Sequence, residues 1–150
     1  MSDDAAPALV GALEQLGRAQ REAAARIAHD LDRPRAGLGV IRYLRAHGPV
    51  QLCEVAEALR VDASVASRQV SALVDSGHVA RHVDESDRRA RTLELTDSGR
   101  HLAARSDELF EAFLAEAFAD WSPADLTHAI ERIRSVAAAI SSVSQEATHR

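Results

Sequence analysis

Along most of the chain, apolar residues recur at spacings of three and four, the signature of amphipathic helices. Leu9, Leu13, Leu16, Ala23, Ile27 and Leu31, with Gln20 in line, form one stripe. They predict a first helix of about 25 residues starting at Pro7, which suits a first turn. Residues 1–6 read as a tail, and Asp32-Arg33-Pro34-Arg35 ends the helix because the residue before a proline avoids the α region. A second helix is expected over 36–46 (Leu38, Ile41, Tyr43, Leu44) and is stopped by His47-Gly48-Pro49. A short third helix over 51–59 points Leu52, Val55, Ala56 and Leu59 inward. Arg60-Val61-Asp62 connects it tightly to a fourth helix over 63–76, with Val65, Val70, Leu73 and Val74 apolar and Gly77 as its stop.

The period then changes to two. Residues 79–83 and 91–95 alternate as strands, and the charged stretch 84–90 between them reads as a hairpin tip. Thr96 caps a fifth helix over 97–119, whose apolar face comprises Leu102, Leu109, Phe110, Phe113, Leu114, Ala117 and Phe118. Ser122, Pro123 and Asp125 restart the chain as cap, first position and third position of a sixth helix carrying Leu126, Ile130, Ile133, Val136, Ala137, Ile140 and Val143. The end, QEATHR, reads as a polar tail. The expected fold is therefore mainly α with a minor β part: four helices, a hairpin, two helices. The third and fourth helices make a helix-turn-helix and the hairpin makes it winged, giving a winged helix-turn-helix over 36–96. The stripes of residues 8–32 and 97–145 exceed what that module can cover, so these form a separate three-helix region.

Composition changes this picture little. The 150 residues fit one domain, or a small domain with a long helical extension. Aromatics are only 3%, so aliphatics and alanine must fill the core. The net charge of −5 argues weakly against a polyanionic partner, but the field of one surface matters more than the total. Residues 60–91 hold six arginines (60, 68, 81, 88, 89, 91) against five acids (62, 75, 84, 85, 87), so that region is nearly neutral. All 18 basic residues are arginine, whose forked guanidinium suits phosphate and guanine. One cysteine allows no intrachain disulfide framework. No apolar run approaches the roughly 18–20 residues of a membrane span and no signal peptide is visible, so a soluble cytoplasmic protein is expected, with no membrane partner. The seven histidines and single cysteine show no zinc spacing, and no phosphate loop, nucleophile elbow or paired carboxylates appear. No metal, no cofactor and no enzymatic activity are expected.

What remains is chemistry for nucleic acid. A helix that enters a major groove needs small polar side chains toward its start. Ser64, Ser67, Arg68, Gln69 and Ser71 supply them: Arg68 can read guanine or grip phosphate, and Gln69 can pair with adenine. The hairpin tip carries Arg88 and Arg89, which can enter a minor groove, with Asp87 near enough in sequence to orient Arg89. Taken alone, each stretch also reads as an ordinary solvated surface.

Three stretches, SVASRQVSALVDSGHVAR, DESDRRAR and LELTDSGR, together with the long first, fifth and sixth helices, make the chain resemble the MarR family of winged-helix transcription regulators over about residues 8–143. The most specific part is Asp84-x-x-Asp87-Arg88-Arg89 followed by Leu93-x-Leu95-Thr96-x-x-Gly99. The resemblance implies a homodimer with interlocked terminal helices, bound to a pseudo-palindromic double-stranded DNA operator, most often as a repressor. By position it adds Val65 to the recognition helix and makes Arg89 the wing arginine, with Asp87 its partner. Glu85 stands where the family usually has proline, which loosens the tip. The resemblance also implies a small aromatic or phenolic ligand in a cleft between the dimer helices and the winged module; the candidates here are Arg21, His29, Tyr43, His47 and His101.

Two alternatives remain at this level. The acidic charge and absent lysine fit a winged-helix module that binds a protein and not DNA. Some relatives sense oxidants through a cysteine in the first helix; this chain has none there, and a thiol redox regulator would have to work through Cys53, which beside Leu52 and Val55 reads as a small packed residue.

Overall fold

The computed structural model of the chain describes residues 5–83 and 91–148, with side chains to residue 142. The element order is α1 (Ala5–Asp30), α2 (Arg35–His47), β1 (Val50–Gln51), α3 (Leu52–Leu59), α4 (Ala63–Asp75), β2 (Val79–Val83), β3 (Arg91–Leu95), α5 (Asp97–Ala117) and α6 (Pro123–Thr148). The chain divides into two compact units, one to Phe113 and one from Leu114.

Three helices of the first unit end alike. Asp32, Arg60 and Gly77 have φ of 50°, 52° and 75°. The next N–H in each case reaches back five residues: Arg33 to the Ala28 carbonyl (2.9 Å), Val61 to Ala56 (3.0 Å) and His78 to Leu73 (2.9 Å). This pattern satisfies carbonyls that the helix end leaves open. Gly77 is the expected stop. Asp32 and Arg60 do the same work without glycine, at a cost of roughly 1–2 kcal/mol each for a side chain in the left-handed region. The Asp32 turn ends α1 at Asp30, two residues before the expected boundary. At its other end α1 already includes Ala5 and Ala6, and residues 1–4 lie outside the described residues.

The expected hairpin is two strands of a three-stranded antiparallel sheet ordered β1-β3-β2. Val50 pairs with Leu93 and Gln51 with Thr92. Gln51 is therefore strand and cap, not the first turn of α3; its N–H donates to the Glu54 carboxylate at 2.6 Å. The strands β2 and β3 have the expected bounds, in the register Val79–Leu95 through Val83–Arg91.

The core joins α2 (Val40, Ile41, Leu44), α3 (Val55), α4 (Val70, Leu73), the sheet (Val50, Val79, Leu93, Leu95) and Ala103 of α5. Val40 is fully buried although the stripe read from the sequence omits it. The inner face of α5 consists of Gly99, Ala103 and Ser106, while Leu109, Phe110 and Phe113 of the expected apolar face are only half buried. Small residues let the backbone approach closely: a Cβ at Gly99 would overlap the His78 carbonyl oxygen.

In the second unit, α6 opens with a capping box. The Ser122 hydroxyl accepts from the Asp125 N–H at 3.2 Å, and the Asp125 carboxylate accepts from the Ser122 N–H (3.2 Å) and hydroxyl (2.6 Å). Phe118 and Trp121 meet edge to face before it. α6 continues to Thr148, so Gln145–Thr148 of the expected tail is helical. None of its described side chains is buried; Ile130, Ile133 and Ile140 are each about half exposed.

Candidate nucleic-acid interface

Asp62 is extended, and its carbonyl accepts from the Val65 and Ala66 N–H groups at 2.9 and 3.0 Å, which sets the start of α4. Burial of Ala66, Val70 and Leu73 then fixes which face turns outward. Of the six expected contact residues on α4, Ser64 and Arg68 stand open to solvent, and Val65, Ser67 and Ser71 are half buried. Ser71 is already engaged: its hydroxyl accepts from an Arg81 guanidinium N–H at 2.9 Å. Gln69 is turned away from the open face. Its Oε1 is buried without a partner among the described residues, and Gln69 lines a cavity behind the helix.

The wing rises from the core. Exposure along β2 goes from Val79, 2% exposed, to Val83, 54% exposed. Arg81 sits midway, opposite Leu93, and so links wing base to helix. His82 Nε2 lies 3.5 Å from the Glu94 carboxylate on the neighbouring strand. Asp87, Arg88 and Arg89 fall within 84–90, outside the described residues.

Behind α4, His78 is buried and its Nδ1 shares a hydrogen bond of 3.0 Å with the Ser98 hydroxyl; Nε2 is buried without a partner among the described residues. Desolvation, and then the Arg33 guanidinium, push the imidazole below its ordinary pKa, against the Ser98 bond. At the start of α5, Arg100 donates to the Leu95 carbonyl (2.7 Å) and to Asp97 (2.5 Å); that hydrogen bond, with the arginine's charge, holds the Asp97 carboxyl below the usual carboxylate range.

The five candidate ligand residues do not gather. Tyr43 and His47 stack at 4.2 Å on one turn of α2, with His47 Nδ1 3.0 Å from the Tyr43 carbonyl. Arg21, His29 and His101 are exposed, and none of the five lines any of the cavities described. The groove between α1, α2 and α5 is instead walled by Ile27, Leu38 and Phe110, with Arg42 over the Phe110 ring, and buried Ser106 and half-exposed Asp107 beside it. Those polar residues escaped the sequence reading because they come from separate helices and share no local motif. Cys53 is corrected outright: it is exposed on the first turn of α3, not packed. The interval between Val55 and Leu59 sets the inward face, and Cys53 falls outside it. Among the described residues no cluster of metal-ligating side chains occurs, and no helix is long and apolar enough to cross a membrane.

The sequence model of the MarR family matches residues 29–90. No curated protein sequence matches the chain. Among solved structures, a MarR family protein from Bacillus stearothermophilus superposes with a TM-score of 0.86 at 16% identity, covering 94% of this chain and 99% of that one. Wild-type MarR from E. coli in its apo form gives 0.76 at 19% identity, over 85% of this chain and 95% of that one. YusO from Bacillus subtilis gives 0.69 at 22% identity, over 93% and 99%. The matched segment contains α2, α3, α4 and β2, and the solved structures share the fold around it: the chain has the winged-helix fold of these MarR proteins, and its central segment is similar to the MarR family.

Proposed function

We propose that the protein is a sequence-specific, dimeric DNA-binding transcription regulator, a repressor released by a small ligand, and not an enzyme. The observation that carries this reading is the open face of α4, with Ser64 and Arg68 outward and Arg81 bridging from β2 to Ser71. It matches what a major groove requires: short polar side chains, one guanidinium, and a second element fixed alongside to follow the backbone. Arg68 and Ser64 read or grip the groove, Ser67 and Val65 border it, and Ser71 positions Arg81. The wing arginines Arg88 and Arg89, with Asp87, reach the adjacent minor groove. Gln69 contributes to the shape of the helix from behind and does not read a base.

The dimer reading rests on surfaces a monomer has no use for. In α1, Leu9, Val10 and Leu16 are exposed, as are Ile130, Ile133 and Ile140 of α6. Contiguous exposed apolar faces of this kind mark interfaces. A gel-shift series on the DNA upstream of the protein's own gene tests the function. Affinity should fall steeply with salt as counterions are released, and Arg68→Ala should weaken binding and relax base preference. Salt-insensitive binding, or none, would favour a protein-binding winged helix instead.

A further inference from the structure

His78 stands where three elements meet. Its N–H donates to the Leu73 carbonyl near the end of α4 (2.9 Å), and its carbonyl accepts from the Thr96 N–H just after β3 (3.1 Å). Gly99, on the first turn of α5, lies so close to that carbonyl that a Cβ would overlap it. The imidazole is 7% exposed, and its Nδ1 shares the hydrogen bond with the Ser98 hydroxyl. Backbone and ring of one residue therefore join the end of α4 and the base of the wing to α5.

That joint accepts only the neutral ring. An imidazolium has two N–H donors, and among the described residues Nε2 has no acceptor. Gln69 Oε1 is itself unpaired and out of bonding range. Burial disfavours the charged form, and Arg33 on the α1–α2 connection adds a like charge. No acid on the neighbouring elements answers it: Asp75 of α4 is exposed, Glu94 of β3 faces His82, and Asp97 of α5 is held by Arg100. Arg35 of α2, Arg68 of α4, Arg81 of β2 and His101 of α5 are basic. Water is near, because Ser98 is exposed and only its side chain covers the Nδ1 edge.

We infer that His78 is a proton-operated latch: the neutral ring holds the end of α4 and the base of the wing against α5, and the imidazolium releases them. A proton taken from solvent gives the ring a second N–H, and the ring leaves the joint to hydrate it. The Thr96 N–H bond to the His78 carbonyl opens with it, as a local event that leaves the core of α2 and α3 closed. Mild acid then loosens the setting of α4 and the wing, and so weakens the grip on DNA. This last step rests on the DNA-binding reading proposed above; the latch itself does not.

Amide hydrogen exchange of the full chain, followed by NMR at pH 7.5 and 5.5 and corrected for intrinsic rates, reads the latch. The Thr96 and His78 amides should open several-fold more at pH 5.5. The ceiling is about tenfold, because a released imidazole of pKa about 6.5 is about nine-tenths protonated there. The Ile41 and Val55 amides should change less. In His78→Gln, whose side chain stays neutral, the Thr96 amide should show no such rise. An unchanged Thr96 amide in the unaltered chain, or an equal rise at Ile41 and Val55, would overturn the latch without recourse to the variant. Gel shifts on the DNA upstream of the protein's own gene, at the same two pH values, read the consequence. The unaltered chain should lose several-fold more affinity in acid than His78→Gln does; equal losses would overturn the link to DNA. Binding at neither pH would sink the DNA-binding reading, while the exchange result still decides the latch.

Discussion

The Thr96 hydroxyl donates to the Gly77 carbonyl at 2.6 Å and accepts from the Gly99 N–H at 3.1 Å, so one side chain closes the end of α4 and opens α5. The Thr96 N–H adds a bond of 3.1 Å to the His78 carbonyl. The whole β2–β3 wing lies between these two points in the sequence. Its base is therefore tied to the end of α4 by contacts that are independent of the wing tip.

That clamp has a measurable strength. Thr96→Val removes a cap and leaves the Gly77 carbonyl without its donor, which should cost about 1 kcal/mol. Gly99→Ala must push α5 away from the His78 carbonyl and should cost more, about 1–3 kcal/mol. For a chain of this size each kcal/mol lowers Tm by about 2–4 °C, so thermal unfolding should rank the two variants in that order.

His78 should make folding sensitive to mild acid. Its pKa in the folded chain lies below the ordinary value of about 6.5, so the unfolded chain takes up the proton first. Its contribution to stability is fully present above about pH 6.5 and is lost as the pH falls through that value toward the lowered folded pKa. Unfolding midpoints in denaturant between pH 7.5 and 5.5 should therefore decline. His78→Gln, which has nothing to protonate, should flatten that part of the decline.

The link between helix and wing can be tested as a pair. Arg81→Ala and Ser71→Ala each remove the same 2.9 Å hydrogen bond. If that bond sets the wing's angle on DNA, each should weaken operator binding about 2–10-fold, and the double variant should be no weaker than Arg81→Ala alone. Fully additive losses would mean that each residue touches DNA separately.

The sequence made much of this legible because its strongest signals are local. Gly77, Thr96 and the Ser122–Asp125 box are stops and caps whose chemistry is contained within a few residues, and each is found where the pattern put it. What escaped is non-local. β1 is two residues long and has no period; only its partners Leu93 and Thr92 make it a strand. Asp32 and Arg60 carry no left-handed signature, and only the packing of α1 onto α2 and of α3 onto α4 gives their turns a purpose. The inward direction of Gln69 follows from Ala66 and Leu73 being the buried edge of α4, a small shift of the apolar arc that a stripe of Val65, Val70, Leu73 and Val74 does not resolve. The stripes read for α3 and α2 miss in a similar way: Cys53 is exposed and Val40 is buried.

The dimer reading yields the most direct prediction. Ile133 stands on α6 at 52% exposure, between Ile130 and Ile140 on the same apolar face. Its neighbours on the chain, Arg132 and Arg134, mark the flanks of that face. Helix stability in proteins comes mainly from tertiary packing of an amphipathic face, and no described side chain of α6 is fully buried. In the proposed dimer a second copy supplies that packing. Ile133→Glu places a charge where an apolar surface should close, so sedimentation should show monomer where the unaltered chain gives dimer, and the helical signal should melt at lower temperature. A variant that sediments as the unaltered chain does, with the same melting curve, would remove α6 from the interface.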